Sequence, residues 1–156
     1  MLVMATTLHR TARIAIRSTK AQRRRFFGLL RSAGDVRALV LDCNRQLREW
    51  KLSPVVSYEG LCREIGGMAF GELGSAGARS VIRRYSEEWF EAAKRRKAGT
   101  TAGFPRRKKS LVPVRYYQGT FRLQETTLRL PVTRAPPRWW FAFVVRSPTQ
   151  RSASAP

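Results

Sequence analysis

Apolar residues recur at helical spacing through much of the first hundred positions. Residues 20–32 place their phenylalanines and leucines near one side and their arginines mostly elsewhere, which predicts an amphipathic helix. Ser18 or Thr19 offers its N-cap, and Gly34 closes it. Apolar residues then continue at steps of three and four over residues 35–50. The pattern therefore predicts two successive helices separated at Gly34.

Two further helices are predicted before residue 99. The first is short, is capped by Ser57, and holds Tyr58, Leu61, Cys62 and Ile65. The second starts at Ser75 or Ala76 and ends in the basic cluster 94–97, where positive charge suits the helix dipole. The side chains of this helix that are predicted to point inward are Val81, Ile82, Tyr85, Trp89, Phe90 and Ala93.

Short β-type segments lie at both ends of the chain. Residues 11–17 predict one strand, and residues 111–116, 120–124 and 127–130 predict a small antiparallel meander. The order is thus one strand, four helices and several strands, so that helices are inserted between the first strand and its sheet partners. The predicted fold class is α+β.

Charge is the strongest signal in the composition. The 156 residues include 31 lysines and arginines against 10 acidic residues, a formal net charge of +21. The acids sit in the middle, because none precedes Asp35 and only Glu125 follows Glu91. A positive electrostatic field of this size requires a polyanionic partner. The commonest such partner is a phosphodiester backbone, which releases counterions when it is neutralised. An anionic membrane surface or an acidic protein would also satisfy the charge.

Motifs that carry catalysis are missing from the sequence. The acids have the spacing of solvated helix faces, His9 is the single histidine, and the glycines of residues 66–71 lack the Lys and Ser or Thr of a phosphate loop. Cys43 and Cys62 have no second pair at metal spacing and are predicted to be reduced, buried thiols. We therefore expect no enzyme activity, cofactor, metal or small-molecule substrate. No apolar run approaches the roughly 20 residues of a membrane span, so no membrane partner is expected.

Nucleic-acid binding has clearer support. Residues 103–109 place a Gly-Phe-Pro turn before four cations, and residues 115–118 continue with Arg-Tyr-Tyr-Gln. Cations grip phosphates and aromatic faces stack on unpaired bases, so this mixture suits RNA or single strands. The alternative is that Phe104 and Tyr117 are core residues and that the basic run is merely solvated.

Five motifs in a fixed order point to a family. The first is the predicted strand 11–17, followed by Ser-Thr-Lys-Ala-Gln at residues 18–22. The second and third are the helical segments 42–50 and 80–94. The fourth is Gly-Phe-Pro-Arg-Arg-Lys-Lys at 103–109 with Val-Arg-Tyr-Tyr-Gln-Gly at 114–119, and the fifth is Leu-Arg-Leu-Pro at 128–131. Over residues 11–131 the chain resembles the N-terminal part of the TnpB, or OrfB, family of insertion-sequence proteins. These proteins, once called transposases, are RNA-guided DNA nucleases related to type V CRISPR effectors.

The resemblance implies a small wedge-type antiparallel β-barrel, incomplete here, with an inserted helical recognition bundle. Residues 1–18 would be an N-terminal arm and first barrel strand, 19–98 the helical recognition-like domain, 99–131 the basic loop and barrel strands, and 132–156 a divergent tail, disordered or frameshifted. The resemblance also implies guide-type RNA and double- or single-stranded DNA as partners in a bacterial or archaeal cytoplasm. Base pairing would read the sequence while protein cations read the backbone shape.

The nucleic-acid-binding candidates follow from the resemblance by position. The loop and barrel would contact the RNA backbone, and the cluster 94–97 would lie at the exit of the helical domain. Three arginines of the first predicted helix, residues 23–25, and Tyr58 of the third would contact the target-adjacent DNA motif. The full set is Arg23, Arg24, Arg25, Tyr58, Lys94, Arg95, Arg96, Lys97, Phe104, Arg106, Arg107, Lys108, Lys109, Arg115 and Tyr117.

The chain departs from the family after residue 131. Family members continue into a nuclease domain whose separated acids hold metal ions, and this sequence stops before it, so we expect no nuclease activity. After Pro137 the residues read Arg-Trp-Trp-Phe-Ala-Phe-Val-Val-Arg. GC-rich codons for residues 139–151, read in another frame, can spell a family-like continuation. The hypothesis is a frameshift near Pro137.

Three functions fit these features. The leading one is a nucleic-acid-binding remnant of a TnpB-like transposase. The alternative is a small basic ribosomal-type or RNA-chaperone protein, and the third is a stand-alone regulator that binds guide RNA or terminal DNA without cleaving it. Co-purified RNA separates the first two, because the first predicts RNA from the end of an insertion sequence and the second predicts ribosomal RNA.

Overall fold

The computed structural model describes residues 16–65, 68, 70–107, 111–124, 127–131 and 141–145. Its helices are α1 (Lys20–Glu49), α2 (Tyr58–Ile65) and α3 (Ser75–Lys97). Its strands are β1 (Ile16–Arg17), β2 (Arg122–Gln124), β3 (Thr127–Leu130) and β4 (Phe141–Val145). The predicted α+β class is therefore confirmed.

One continuous helix, α1, replaces the two helices predicted before residue 51, so the predicted break at Gly34 is wrong. Its fully buried apolar residues follow one another at steps of four, three and four, in phase on both sides of the glycine: Leu29, Ala33, Val36 and Val40. A glycine inside a helix costs roughly 1 kcal/mol relative to alanine. Burying one aliphatic side chain contributes about 2 kcal/mol, so the buried stripe outweighs that cost.

Capping residues begin and end the helices as the sequence predicts. At the start of α1 the Gln22 amide donates to Thr19 Oγ1 at 3.2 Å, and the Thr19 amide donates to Gln22 Oε1 at 2.8 Å, which completes a capping box. At the start of α2, Ser57 Oγ accepts a hydrogen bond from the Gly60 amide at 3.2 Å. Gly99 follows α3 with a φ of 81°, in the left-handed region that favours glycine.

The four strands form one antiparallel sheet in the order β1-β4-β3-β2. β1 pairs with β4, with Ile16 opposite Val145, although all three helices lie between them in sequence. This is the order of strand, helices and strands that the sequence predicts. Among the described strands the sheet is open, with β1 and β2 at its edges.

Two segments differ from the predicted strands. Residues 111–116 are irregular, because the Val112 amide donates to the Leu30 carbonyl of α1 at 3.1 Å and Pro113 has no amide hydrogen for a sheet ladder. Conversely, β4 lies within residues 132–156, for which no strand is predicted, and its aromatic and β-branched residues suit a strand. Of the first predicted strand, residues 11–15 lie outside the described residues.

The hydrophobic core lies between the three helices and extends to the sheet. Its large, fully buried apolar side chains are Leu29, Leu61, Leu73, Val36, Val40 and Val81. Val112 joins the irregular segment to this cluster, and Leu130 joins β3 to it. Helices and sheet therefore share one core.

The inner face of α3 differs in part from the prediction. The predicted inward side chains that are buried or half-buried are Val81, Ile82, Tyr85, Trp89 and Ala93. Phe90 is 51% exposed. It follows Tyr85 by five residues, which is about 140° around the helix, and it therefore points away from the core. Ala92, which follows Tyr85 by seven residues or about two turns, lies on the inner face and is buried instead.

Asn44 of α1 is the polar centre of the helical core. Its amide nitrogen donates to the Val55 carbonyl at 2.9 Å and to Tyr85 Oη at 3.2 Å. Its Oδ1 accepts from the Val55 amide at 2.8 Å. One buried side chain thus fastens the segment after α1 to α1 and α3 together.

We expect Asn44→Ala to lower the free energy of unfolding by about 2 kcal/mol, because it removes three hydrogen bonds and leaves buried partners unpaired. Gln46→Ala is the matched control on the same helix, where the side chain is exposed, and its effect should stay within about 0.5 kcal/mol. Urea denaturation followed by circular dichroism measures both. Equal effects would show that the Asn44 bonds contribute nothing specific.

Candidate nucleic-acid interface

A groove with many charged lining residues runs between the second half of α3 and the loop of residues 101–107. We name it the loop groove; it encloses about 830 Å³. Its charged lining consists of Arg37, Arg84, Arg95, Arg106, Arg107, Arg115, Glu87, Glu88 and Glu91. Five predicted site residues line this groove together: Arg95, Phe104, Arg106, Arg107 and Arg115. Arginines outnumber glutamates around them.

The loop leaves α3 through a defined turn. The Gly99 amide donates to the Arg96 carbonyl at 2.9 Å and the Thr100 amide to the Arg95 carbonyl at 3.0 Å, the paired bonds of a Schellman motif. The Arg96 side chain then reaches along the loop, and its Nε donates to the Ala102 carbonyl at 3.0 Å. The first part of the loop is thereby fixed against the end of the helix.

Phe104 attaches the middle of the loop to α3. Its ring stacks on Trp89 with centroids 5.2 Å apart and an interplanar angle of 28°. The guanidinium of Arg96 lies 4.8 Å from the Phe104 centroid, within cation–π range. Because the half-buried ring already has these partners, we interpret Phe104 as an anchor of the loop rather than a platform for a base.

Arg37 holds the far end of the loop. Its side chain is only 3% exposed, and Nη2 lies 2.6 Å from Glu88 Oε2 on α3. Its Nε donates to the Arg106 carbonyl at 3.3 Å. Arg84 also approaches Glu88, at 3.8 Å, and donates to the Pro113 carbonyl at 3.0 Å. One nearly buried cation therefore connects α1, α3 and the basic loop.

The cations that line the loop groove face solvent, although the loop backbone is held. Arg95, Arg106, Arg107 and Arg115 are all exposed. Ordering a flexible residue costs about 1–2 kcal/mol, so a loop that is already ordered loses less entropy when a ligand binds. The groove is thus suited to anionic oxygens that approach from outside.

A second cluster joins two other predicted site residues, Tyr58 and Tyr117. The guanidinium of Arg83 lies 4.8 Å from the Tyr58 ring centroid and 5.3 Å from that of Tyr117. Burial raises the pKa of Tyr58 above its usual value, a hydrogen bond with Cys62 raises it further, and Arg83 opposes the shift. Tyr58 therefore stays neutral at physiological pH, and Arg83 supplies the exposed charge of the cluster.

The remaining predicted cations lie elsewhere. Arg23 and Arg24 are exposed near the start of α1, and Arg25 forms an ion pair with Glu72 at 3.5 Å. None of the three lines the loop groove. Lys94 and Lys97 are exposed at the end of α3 and do not line it either. The other two predicted cations, Lys108 and Lys109, lie outside the described residues.

Sequence reasoning missed the three arginines that organise these clusters. Arg37 carried a signal, because it lies four residues after Ala33 and seven before Asn44, on the stripe that α1 buries. A charged residue at such a position needs a partner. Arg83 and Arg84 carried no comparable signal, because arginines are common on exposed helix faces.

The described residues contain no group of three His, Cys, Asp or Glu side chains that could hold a metal ion. Cys43 and Cys62 are free and half-buried, and burial, with Glu64 nearby, raises the pKa of Cys43. Within the same part of the chain no helix combines the length and apolar content of a membrane span. Comparison with known protein families and with curated proteins returns no match for this chain.

We expect Arg37→Met to lower the free energy of unfolding by about 2 kcal/mol, because it removes the short ion pair with the partly buried Glu88 and the hydrogen bond to the Arg106 carbonyl. Arg45→Met is the matched control. Arg45 also forms ion pairs on α1, with Asp42 at 3.2 Å and Glu49 at 3.9 Å, but its side chain is 65% exposed.

The Arg45 substitution should cost less than about 0.5 kcal/mol, because exposed pairs are weak. Thermal and urea unfolding of both variants provide the measurement. If Arg37→Met is no more costly than Arg45→Met, the proposed anchor does not exist.

Proposed function

We propose that this chain binds single-stranded nucleic acid through the loop groove, holding the sugar–phosphate backbone rather than reading bases. The observation that supports this most is the combination of a restrained loop backbone with exposed guanidinium groups on Arg95, Arg106, Arg107 and Arg115. A formal net charge of +21 supplies the long-range attraction. The loop groove supplies the arginine side chains that would contact the phosphates.

The chemistry of the groove suits phosphate groups. A guanidinium presents a planar fork of donors that matches two phosphate oxygens, and such charge-assisted pairs are about twice as strong as neutral hydrogen bonds. Glu87 and Glu91 on the α3 side repel a phosphate, so the backbone would follow the loop side of the groove. Binding without cleavage is the activity that this arrangement supports.

The Tyr58–Arg83–Tyr117 cluster offers a contact of a second kind. Aromatic rings and a guanidinium plane can stack on unpaired bases, which contributes about 1–3 kcal/mol per base without strict sequence preference. Arg83 is exposed between two tyrosines that are half-buried, so a base would stack first on its guanidinium. This favours unpaired strands over duplex.

We further propose that the chain is a TnpB-like transposase protein, with a wedge-type barrel and a helical recognition bundle, that binds guide-type RNA or its DNA partner in the cytoplasm. The insertion of all three helices between β1 and the other strands of one sheet supports this proposal. A ribosomal-type or RNA-chaperone protein is the competing proposal. Sequencing of RNA that co-purifies with the full chain decides between them: ribosomal RNA would contradict the TnpB-like assignment.

Fluorescence anisotropy with a labelled oligouridylate tests the binding groove. We expect the double variant Arg106→Gln/Arg107→Gln to reduce the slope of log K against log salt by about 1.4, since each phosphate contact to a single strand contributes about 0.7. Arg106→Lys/Arg107→Lys keeps the charge and should keep the slope. Arg45→Gln removes an exposed arginine outside the groove and should change little. A wild-type slope near zero would contradict the proposed function.

A further inference from the structure

An apolar cavity of about 650 Å³ lies between one face of the sheet and the N-terminal half of α1. The sheet contributes Leu123 and Leu128, which lie opposite each other on β2 and β3, and Leu130, two residues further along β3 on the same face. Helix α1 contributes Phe26 and Leu29. We name this space the sheet cavity.

The third wall of the sheet cavity is the irregular segment 111–116, which hydrogen bonds hold in place. The Val112 amide donates to the Leu30 carbonyl of α1 at 3.1 Å, and an arginine of α3 donates to the Pro113 carbonyl at 3.0 Å. Pro113 and Val114 line the cavity. Its walls are therefore ordered before any ligand binds, which lowers the entropic cost of binding.

The sheet cavity is closed on one side and open on the other. Leu29 and Leu130 of its lining are buried, whereas Ile16, Leu111 and Leu123 are exposed although all three are large and apolar. Protein interiors contain few voids larger than a water molecule, and an apolar cavity takes up apolar molecules more readily than water. The exposed side chains therefore form an apolar mouth through which a ligand can enter.

The lining of the sheet cavity is uncharged. Among the described residues that line it, Tyr116 is the one with a polar side-chain group. Burial raises the pKa of Tyr116 to about 12, so its phenol stays neutral at physiological pH. A phosphate or carboxylate would lose its hydration in the cavity without gaining a charged partner. The lining therefore favours an uncharged ligand.

We propose that the sheet cavity is a binding site for an uncharged, predominantly aliphatic small molecule. Its volume falls within the range of small-molecule sites, roughly 300–1,000 Å³. The proposal goes beyond nucleic-acid binding and does not depend on it, because the residues that line the sheet cavity are not those that line the loop groove.

A macromolecular occupant fits the sheet cavity less well. A second copy of the chain would bring together two molecules that each carry a formal net charge of +21, which repel each other. A stable protein interface buries about 800 Å² on each partner, and three half-exposed side chains at the mouth supply much less apolar surface than that. A nucleic-acid backbone would find no cation in the lining.

Methyl NMR spectroscopy of the full chain, with 1-octanol as the probe, tests the site. We expect saturable shifts of the methyl signals of Val114, Leu128 and Leu130, which line the cavity. The signals of Val40 and Val81, which are buried in the helical core outside the cavity, should change little. The Kd of 1-octanol should be about fourfold lower than that of 1-heptanol, because one more methylene is buried.

Leu128→Trp is the variant that fills the cavity, since Leu128 lines it and is half-buried. We expect this variant to bind 1-octanol roughly tenfold more weakly or worse, because the indole ring takes the space of the ligand. Leu52→Trp is the matched control: it places the same side chain at an exposed leucine outside the cavity and should leave the Kd unchanged.

Three results would overturn the proposed site. The first is the lack of any saturable shift, or shifts that affect Val40 and Val81 as much as the lining residues. The second is an unchanged Kd in a folded Leu128→Trp variant; if this variant does not fold, the shift pattern of the wild type decides. The third is a wild type that sediments as a dimer and binds 1-octanol only on dilution, which would make a second copy the occupant. Oligouridylate binding is measured separately, so each of these results leaves the proposed function intact.

Discussion

The buried guanidinium of Arg37 is the interaction on which the arrangement of the basic loop depends. It lies on the core stripe of α1, pairs with Glu88 of α3 at 2.6 Å, and donates to the Arg106 carbonyl at 3.3 Å. A charge with 3% exposure is costly unless its donors are satisfied. The loop carbonyl and the α3 carboxylate meet that requirement together, so packing of the two long helices also fixes where the loop lies.

Among the residues that the structure describes, the arginines include two physical classes that the sequence does not distinguish. Arg37, Arg84 and Arg96 donate to backbone carbonyls of the loop and of the irregular segment, and so act within the fold. Others, including Arg106 and Arg107, present their charge to solvent. The net charge alone therefore overstates the number of phosphate contacts, because some of the arginine side chains already donate to backbone carbonyls within the fold.

Local interactions and the order of the elements were predictable, whereas most long-range contacts were not. Thr19, Ser57 and Gly99 fix helix ends through bonds within a few residues, and the sequence predicts all three. Gly34 misled the prediction because a glycine signals a helix end only when the buried stripe also stops, and here it continues. The irregular course of residues 111–116 depends on Val112 bonding to α1 across the core, which no local pattern contains. For the same reason the groove residues Arg95, Arg106, Arg107 and Arg115 were predictable as cations but not as neighbours.

The central claim is that Arg37 organises the loop so that its cations bind a nucleic-acid backbone. A double-mutant cycle between Arg37→Met and Arg106→Gln/Arg107→Gln, read as affinity for a labelled oligouridylate at a temperature where all variants are folded, tests it most directly. The account predicts that Arg37→Met weakens binding in the wild-type background and has little further effect once the two loop cations are gone. Equal losses in both backgrounds would contradict it.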